Sequence, residues 1–345
     1  MAKDNGAVKE KKQPTIADIL EKYNLKNVQE YEEVKRLPTG SLELDKSIGG
    51  GWGVGCINEV WGAPSFGKSL LTMITIGRTL FAGKKAVLFD LEKSFDEKWA
   101  RHFMDVNSEN FILVQQHNDT YGEGILNSIL ALADMGVAFI ALDSKDAIVF
   151  EAELEGGVGP TNMGKRSFLL GNFVRRLSQI VGDSETAFLF TSQVRANFGN
   201  TYQPLTTSGG HALDHFCSIQ VSLNQPAALK VSVDKKEVVV GTSINTHSGK
   251  NKTFKAKQNA SVAVRKFDTE GGEIWAVDTA SEVFKIGTEL GMFTLADGKP
   301  YDGAGNAHYG GELLGSKNVA ISRLRAEPTM CFQIEQAIRS KLGWA

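Results

Sequence analysis

Near-continuous apolar runs that end in acidic or amide side chains recur along this chain. Ala86-Val-Leu-Phe-Asp-Leu-Glu92, Val137-Ala-Phe-Ile-Ala-Leu-Asp-Ser144 and Glu185-Thr-Ala-Phe-Leu-Phe-Thr-Ser-Gln193 have this form, and Ile57–Trp61 reads as a further short strand. Strands apolar on both faces belong in a parallel sheet covered by helices. The fold class predicted is therefore α/β, a mostly parallel central sheet with helices on both faces. Between two of the runs, Leu70, Met73, Ile74, Gly77, Leu80 and Phe81 share one helical face. Gly83 follows where the helix end favours a left-handed residue.

The flanks read differently. Met1–Gln13 is charged and polar, the composition of a disordered tail. Thr15 and Asp18 form a helix-capping pair, followed by the apolar stripe Ile16, Ile19, Leu20 and Tyr23. So short a helix must dock its stripe, on its own domain or on a neighbouring subunit. Alternating segments at Glu237–Gly241, Ser261–Phe267 and Glu273–Val277 predict antiparallel strands at the end of the sheet. Beyond them, Val283, Ile286 and Leu290 have helical spacing. Tyr301 lies in a glycine-rich turn, and Ile334, Ile338 and Leu342 mark a last helix. The organisation expected is an N-terminal tail and arm over 1–34, a core over 35–268 and a small α+β lobe over 269–345.

The stretch after Ile57–Trp61 carries chemistry. Gly62, Gly67, Lys68 and Ser69 have the G-x-x-x-x-G-K-[ST] spacing of a P-loop, placed between a strand and a helix. Its glycines let successive backbone N–H groups turn toward phosphate oxygens. Lys68 supplies charge for the β- and γ-phosphates, and Ser69 a hydroxyl for Mg²⁺. Ligands of such sheets lie outside the carboxyl ends of the strands. Glu92, Asp143, Ser144 and Gln193 should therefore share one edge with the P-loop. Asp143 is placed to hold Mg²⁺, Glu92 to act as general base, and Gln193 to sense the γ-phosphate.

Composition narrows the classes. The chain has 345 residues, 42% hydrophobic and 23% charged, enough for a full α/β core. A formal charge of −2 confines any nucleic-acid site to a local patch. Cys56, Cys217 and Cys331 lie far apart, which excludes a C-x-x-C zinc site and fits a reducing, cytoplasmic setting. No apolar run suggests a membrane span. Two glycine-rich stretches follow the strand ends, over 155–164 and 193–210. The first leads into a helix carrying Lys165, Arg166, Arg175 and Arg176, and the second holds Arg195 and aromatic residues. Loops so built could grip a nucleic-acid backbone without reading sequence, though most such loops are only loops. The run Gly249-Lys-Asn-Lys-Thr-Phe-Lys-Ala-Lys257 has the composition of a solvated surface turn.

Together these segments resemble the RecA-type recombinases, the ATP-dependent strand-exchange proteins of bacteria and their viruses, over roughly 35–340. Thr39-Gly-Ser-Leu-Glu-Leu-Asp45 matches the family segment ahead of the P-loop, Gly62–Ser69 the P-loop itself, Asp90-Leu-Glu92 the catalytic strand end and Asp143-Ser144 the Walker B acid. Glu153-Leu-Glu-Gly156 and Met163-Gly164 match a first DNA-binding loop. Gln193, Arg195 and Thr206-Thr-Ser-Gly-Gly210 match a second. The resemblance implies a RecA-like core in which Gly62, Ala63, Pro64, Ser65, Phe66, Gly67, Lys68, Ser69 and Leu70 bind ATP. Asp96 and Trp99 would flank the adenine, and Ser69 and Asp143 hold Mg²⁺. Glu92, Lys68 and Gln193 would act in catalysis, with Lys250 and Lys252 reaching the γ-phosphate from the adjacent subunit. Implied DNA contacts are Met163, Gly164, Arg175, Arg195, Phe198, Tyr202, Ser208, Gly209, Gly210 and His211.

The partners implied are single-stranded DNA, a homologous duplex, further copies in a head-to-tail helical filament, and a single-strand-binding protein or loading mediator. Departures exist. The P-loop interior is Ala63-Pro-Ser-Phe66, His211 stands where the family has asparagine, and no acidic tail follows Arg339-Ser-Lys-Leu-Gly-Trp-Ala345, which suggests a shortened, viral version. The rival expectations are a hexameric motor on the same fold, or a nucleotide-dependent filament that never exchanges strands.

Overall fold

The computed structural model describes residues 14–25, 33–116, 121–151, 163–196, 205–207, 210–233 and 236–344. Met1–Val34 and Lys35–Ala345 form separate compact units. In the first, helix α1 (Ile16–Lys22) starts on a reciprocal capping box. Asp18 N–H donates to Thr15 Oγ1 at 3.2 Å, and Thr15 N–H donates to Asp18 Oδ2 at 2.8 Å. Its apolar stripe is open, with Ile16 79% and Tyr23 62% exposed.

The second unit opens with strands β1 (Arg36–Leu37) and β2 (Trp52–Gly53), which pair with each other across helix α2 (Leu42–Ile48). Strands β3 (Cys56–Gly62), β4 (Ala86–Asp90), β5 (Phe111–Gln115), β6 (Phe139–Asp143) and β7 (Ala187–Ala196) follow, with β8 (Leu205–Thr207) and β9 (Ile219–Leu223). Then come β10 (Ala227–Val233), β11 (Lys236–Asn251), β12 (Gln258–Thr269) and β13 (Gly272–Val277). Among the described residues β3–β13 make an 11-stranded sheet ordered β13-β12-β11-β9-β3-β7-β6-β4-β5, with β10 on β11 and β8 on β7. From β9 to β5 every neighbour is parallel, and from β9 to β13 every neighbour is antiparallel.

Alternation along the strands sorts the core into two layers. Leu88, Ala141 and Leu189 join helix α3 (Lys68–Phe81) on one face. Val87, Phe89, Ile140, Leu142, Phe188 and Phe190 face the other way. They meet helix α5 (Gly122–Asp134) and the helix Met163–Gly182, the short helix α4 (Glu97–Ala100) lying earlier in the chain. A third cluster lies under the helices Thr279–Glu289, Lys317–Ala326 and Pro328–Lys341, with Val283, Ile286, Ile334 and Ile338 at its centre. Residue 269, where the lobe was expected to start, is the last of β12, and β13 still pairs with the sheet.

Several expectations need correcting. Phe81 is 71% exposed, because α3 turns it off the sheet toward Phe332, whose ring lies 5.8 Å away. Gly77 is on the packed side for a backbone reason, since a Cβ there would come within 2.0 Å of Phe103 O. The stretch from Gln193 onward does not begin as loop. Strand β7 continues to Ala196 and pairs antiparallel with β8, Val194 opposite Thr207. The lysine run is not wholly a turn either, as β11 carries Lys250 in register with Gln220. Strand β5 and helix α5 were not foreseen.

Candidate functional site

The P-loop joins β3 to α3 through two left-handed residues, Ser65 (φ 63°) and Gly67 (φ 100°). A side chain at Gly67 would be strained by that φ, and its Cβ would stand 3.0 Å from Ile244 Cδ1. Pro64 and Ser65 are exposed, Ala63 and Phe66 half-buried, and Phe66 and Leu70 pack against the α3-side core. Lys68 Nζ donates to the Gly62 and Ala63 carbonyls at 2.9 and 3.0 Å, closing the loop on itself. Burial pushes the Lys68 pKa down, while Asp143, Glu92 and Asp146 pull it back up.

Across the strand ends, Ser69 Oγ donates to Asp143 Oδ2 at 2.6 Å, and Thr191 Oγ1 donates to Asp143 Oδ1 at 2.6 Å. Burial raises the Asp143 pKa, the two hydroxyls oppose that, and the carboxylates of Glu92 and Asp90 add to it. A nearby cation would relieve this carboxylate. Glu92 is exposed just beyond β4, and its Oε1 accepts from Ser144 Oγ at 2.5 Å and Gln193 Nε2 at 3.3 Å. The structure thus brings Lys68, Ser69, Glu92, Asp143, Ser144 and Gln193 to one sheet edge.

Three more residues, of which sequence reasoning named only Asp90, hold this edge in place. Asp90 accepts from the Ser94 and Phe95 N–H groups at 3.1 and 3.0 Å and from Gln115 Nε2 at 2.8 Å, which fixes the turn carrying Glu92. Asp146 Oδ2 accepts the Gln193 N–H at 3.1 Å. Its signal was available as a second acid three positions after Asp143. Nothing in the sequence singled out Thr191.

Other expected residues stand elsewhere or do other work. Asp96 caps α4, accepting from Trp99 N–H at 3.1 Å. Trp99 is half-buried among Phe103, His102 and Trp275, with ring centres 5.2, 5.4 and 5.7 Å away. Lys250 Nζ donates to Asp214 O, and Lys252 Nζ to His215 O at 2.7 Å, both in the last turn of the helix Gly210–Phe216. Burial, and then Lys252, push the Lys250 pKa down.

Arg175 is exposed on the helix Met163–Gly182, where it lines an apolar groove of 370 Å³ against α5. Arg166, on the same helix, donates to the carbonyls of Ile148 at 2.8 Å and Asp146 at 2.9 Å, tying the helix to the chain after β6. Met163 and Gly164 begin that helix, Arg195 is on β7, and Gly210 and His211 begin the helix Gly210–Phe216. Only their backbone is described. Phe198, Tyr202, Ser208 and Gly209 lie outside the described residues, as do most of 155–164 and all of Met1–Gln13. No helix among the described residues is long and apolar enough to cross a membrane.

Comparison with known proteins gives the family. The family model described as RecA N-terminal domain matches residues 17–268. Protein RecA of Aquifex aeolicus (strain VF5) is 32% identical over 325 residues, covering 93% of this chain and 88% of the relative. Protein RecA of Chlorobaculum parvum is 32% identical over 314 residues, covering 90% and 84%. That of Streptomyces avermitilis is 30% identical over 315 residues, covering 90% and 78%. With a P-loop after β3, an acid at the end of β6 and a glutamate–glutamine pair at one edge of such a sheet, the chain belongs to the RecA family of ATP-dependent DNA recombinases.

Proposed function

We propose that this chain polymerises on single-stranded DNA and, using ATP, pairs it with a homologous duplex. The observation that carries the reading is the Glu92–Gln193 hydrogen bond beside the Lys68 loop. A candidate base and a candidate sensor then share one oxygen at the edge where a γ-phosphate would sit.

The donor set suits a magnesium nucleotide. Ser69 and Asp143 offer adjacent hard oxygens at the start of α3, a helix of 14 residues whose N-terminal N–H groups favour anions. Among the described residues no cluster of three His, Cys, Asp or Glu side chains forms a metal cage. A magnesium ion held by one carboxylate and by phosphates needs none. When bound, the ion supplies charge neutralisation at the phosphates. Ser69 and Asp143 would hold it, and Lys68 would leave its loop carbonyls for phosphate oxygens. Glu92 would take the proton of the attacking water, while Gln193 would follow the γ-phosphate and pass its state into β7.

Lys250 and Lys252 would serve the nucleotide of the next subunit in a head-to-tail helical filament. The open stripe of α1 is the proposed docking arm. Arg175, Arg195 and the stretches over 155–164 and 193–210 would face DNA, whose phosphates make binding fall steeply with salt. The proposed setting is the cytoplasm, with a single-strand-binding protein or a loading mediator as accessory partner. Strand exchange between a circular single strand and a linear homologous duplex, with and without ATP, tests the whole reading. Joint molecules that require ATP are expected. Filaments without joint molecules would reduce the chain to a nucleotide-dependent polymer, and closed rings under electron microscopy would make it a motor.

A further inference from the structure

Behind the nucleotide edge lies a buried charged cluster that the mechanism above does not use. The side chains of Lys145 and Glu59 are 2% and 0% exposed, and Ser192 is fully buried. Charges are kept in such places only when paired and hydrogen-bonded. Lys145 Nζ donates to Ser192 Oγ and stands 3.5 Å from Glu59 Oε1 and 4.0 Å from Asp146 Oδ2. Ser192 Oγ donates onward to Glu59 Oε1 at 2.5 Å. The other oxygen of Glu59 accepts from Gln220 Nε2 at 2.7 Å, and that same amide nitrogen reaches Asp214 Oδ1 at 3.1 Å. The contacts cross three adjacent strands, β7, β3 and β9.

The two ends of this chain of contacts are both functional in the recombinase reading, on which the present inference rests. At one end Asp146 holds the backbone of Gln193, whose side chain touches Glu92. At the other, Asp214 sits in the last turn of the helix Gly210–Phe216, the turn that Lys250 and Lys252 cap. We infer that Lys145 is a positioning residue: with Glu59 and Ser192 it forms a buried relay joining the γ-phosphate sensor to that helix and to the two lysines. Ser192 and Gln193 are consecutive, so a shift of the strand end that follows nucleotide state moves the Ser192 hydroxyl as well. Lys145, Ser192 and Glu59 are buried, so a shift there is passed from one hydrogen bond to the next and reaches solvent only at the Gln220–Asp214 end.

A core ion pair that merely fixes the fold would look the same in a static view, so the test separates stability from coupling. The variants are Lys145→Met, Ser192→Ala and the paired Lys145→Met/Glu59→Gln, in the full chain. The readouts are thermal midpoint, KM for ATP, and the ratio of turnover with oligothymidylate to turnover without it. The ratio is expected to fall at least about fivefold in all three, within the usual range for coupling between sites, with KM for ATP in the absence of DNA within about twofold. The paired variant should regain most of the midpoint lost by Lys145→Met, because the fully buried Glu59 carboxylate goes with the cation and only the half-buried Asp146 is left without it. A wild-type ratio in the paired variant, or in Ser192→Ala, overturns the relay and leaves a structural pair. Ser192→Ala, which removes one oxygen and no charge, decides alone if Lys145→Met does not fold. Absence of DNA stimulation in the unaltered protein would instead overturn the recombinase reading itself.

Discussion

Gln193 Nε2 and Ser144 Oγ converge on a single oxygen of Glu92, at 3.3 and 2.5 Å. Two donors on one oxygen leave the second free for water. Replacing Glu92 by Gln keeps the shape and removes the base. Hydrolysis should drop about 10²–10⁴-fold, the usual contribution of a general base, while a fluorescent ATP analogue binds within about twofold of normal. Phosphate release at normal rate would move the base elsewhere.

Lys250 separates two activities. Lys250→Ala should lose DNA-stimulated hydrolysis, because the proposed partner phosphate loses its cation, while a protomer still binds nucleotide through Lys68. The helix Gly210–Phe216 loses one cationic cap as well, at a cost of about 0.3–1 kcal/mol, measurable by urea denaturation. Unchanged stimulated turnover would return Lys250 to a purely internal role.

Gly77 and Gly124 make a contrasting pair. A Cβ at Gly77 would fall 2.0 Å from Phe103 O, so Gly77→Ala forces α3 away from its neighbour. A loss of about 1–3 kcal/mol is expected. At Gly124 nothing lies within 4 Å, and Gly124→Ala in α5 should be neutral or stabilising by about 0.5–1 kcal/mol. Equal denaturation midpoints for the two variants would contradict the packing described.

Stability should depend on pH through Glu282. Burial pushes its pKa up to about 8, even though Ser41 Oγ and Leu42 N–H, both at 2.7 Å, favour the carboxylate. The folded chain then keeps a proton that the unfolded chain has released above the ordinary carboxylate range. This stabilisation is complete below about pH 4.5, declines as pH rises, and is gone above about 8. Glu282→Gln should flatten that part of the Tm profile between pH 5 and 8.5. A slope equal to the unaltered protein's would assign it to other groups.

Much of the site was legible because strand periodicity and chemistry coincide. Asp90, Glu92, Asp143 and Gln193 end apolar runs, and a parallel sheet brings such ends to one edge. The supporting set was not legible. Thr191, Ser192 and Glu59 lie inside strands as polar interruptions of apolar runs, and only strand order shows that they meet. The fold had the same limit. Phe111–Gln115 is an apolar run like the others, but an edge strand, with Ile112 and Leu113 partly exposed, lacks a distinguishing flank. The pairing of β7 with β8 rests on three residues, Leu205–Thr207, a run too short to show a period of two.

Lys250 and Lys252 hold down the last turn of a helix only seven residues long. Recruiting either ammonium elsewhere uncovers a backbone carbonyl at the negative end of the helix dipole. A helix of two turns has no reserve of length, so loosening at one end is felt at the other. That other end is Gly210, where the chain arrives from the stretch after β8. A neighbour that borrows the lysines therefore makes itself known at the far end of the helix by lifting a restraint, without touching anything there.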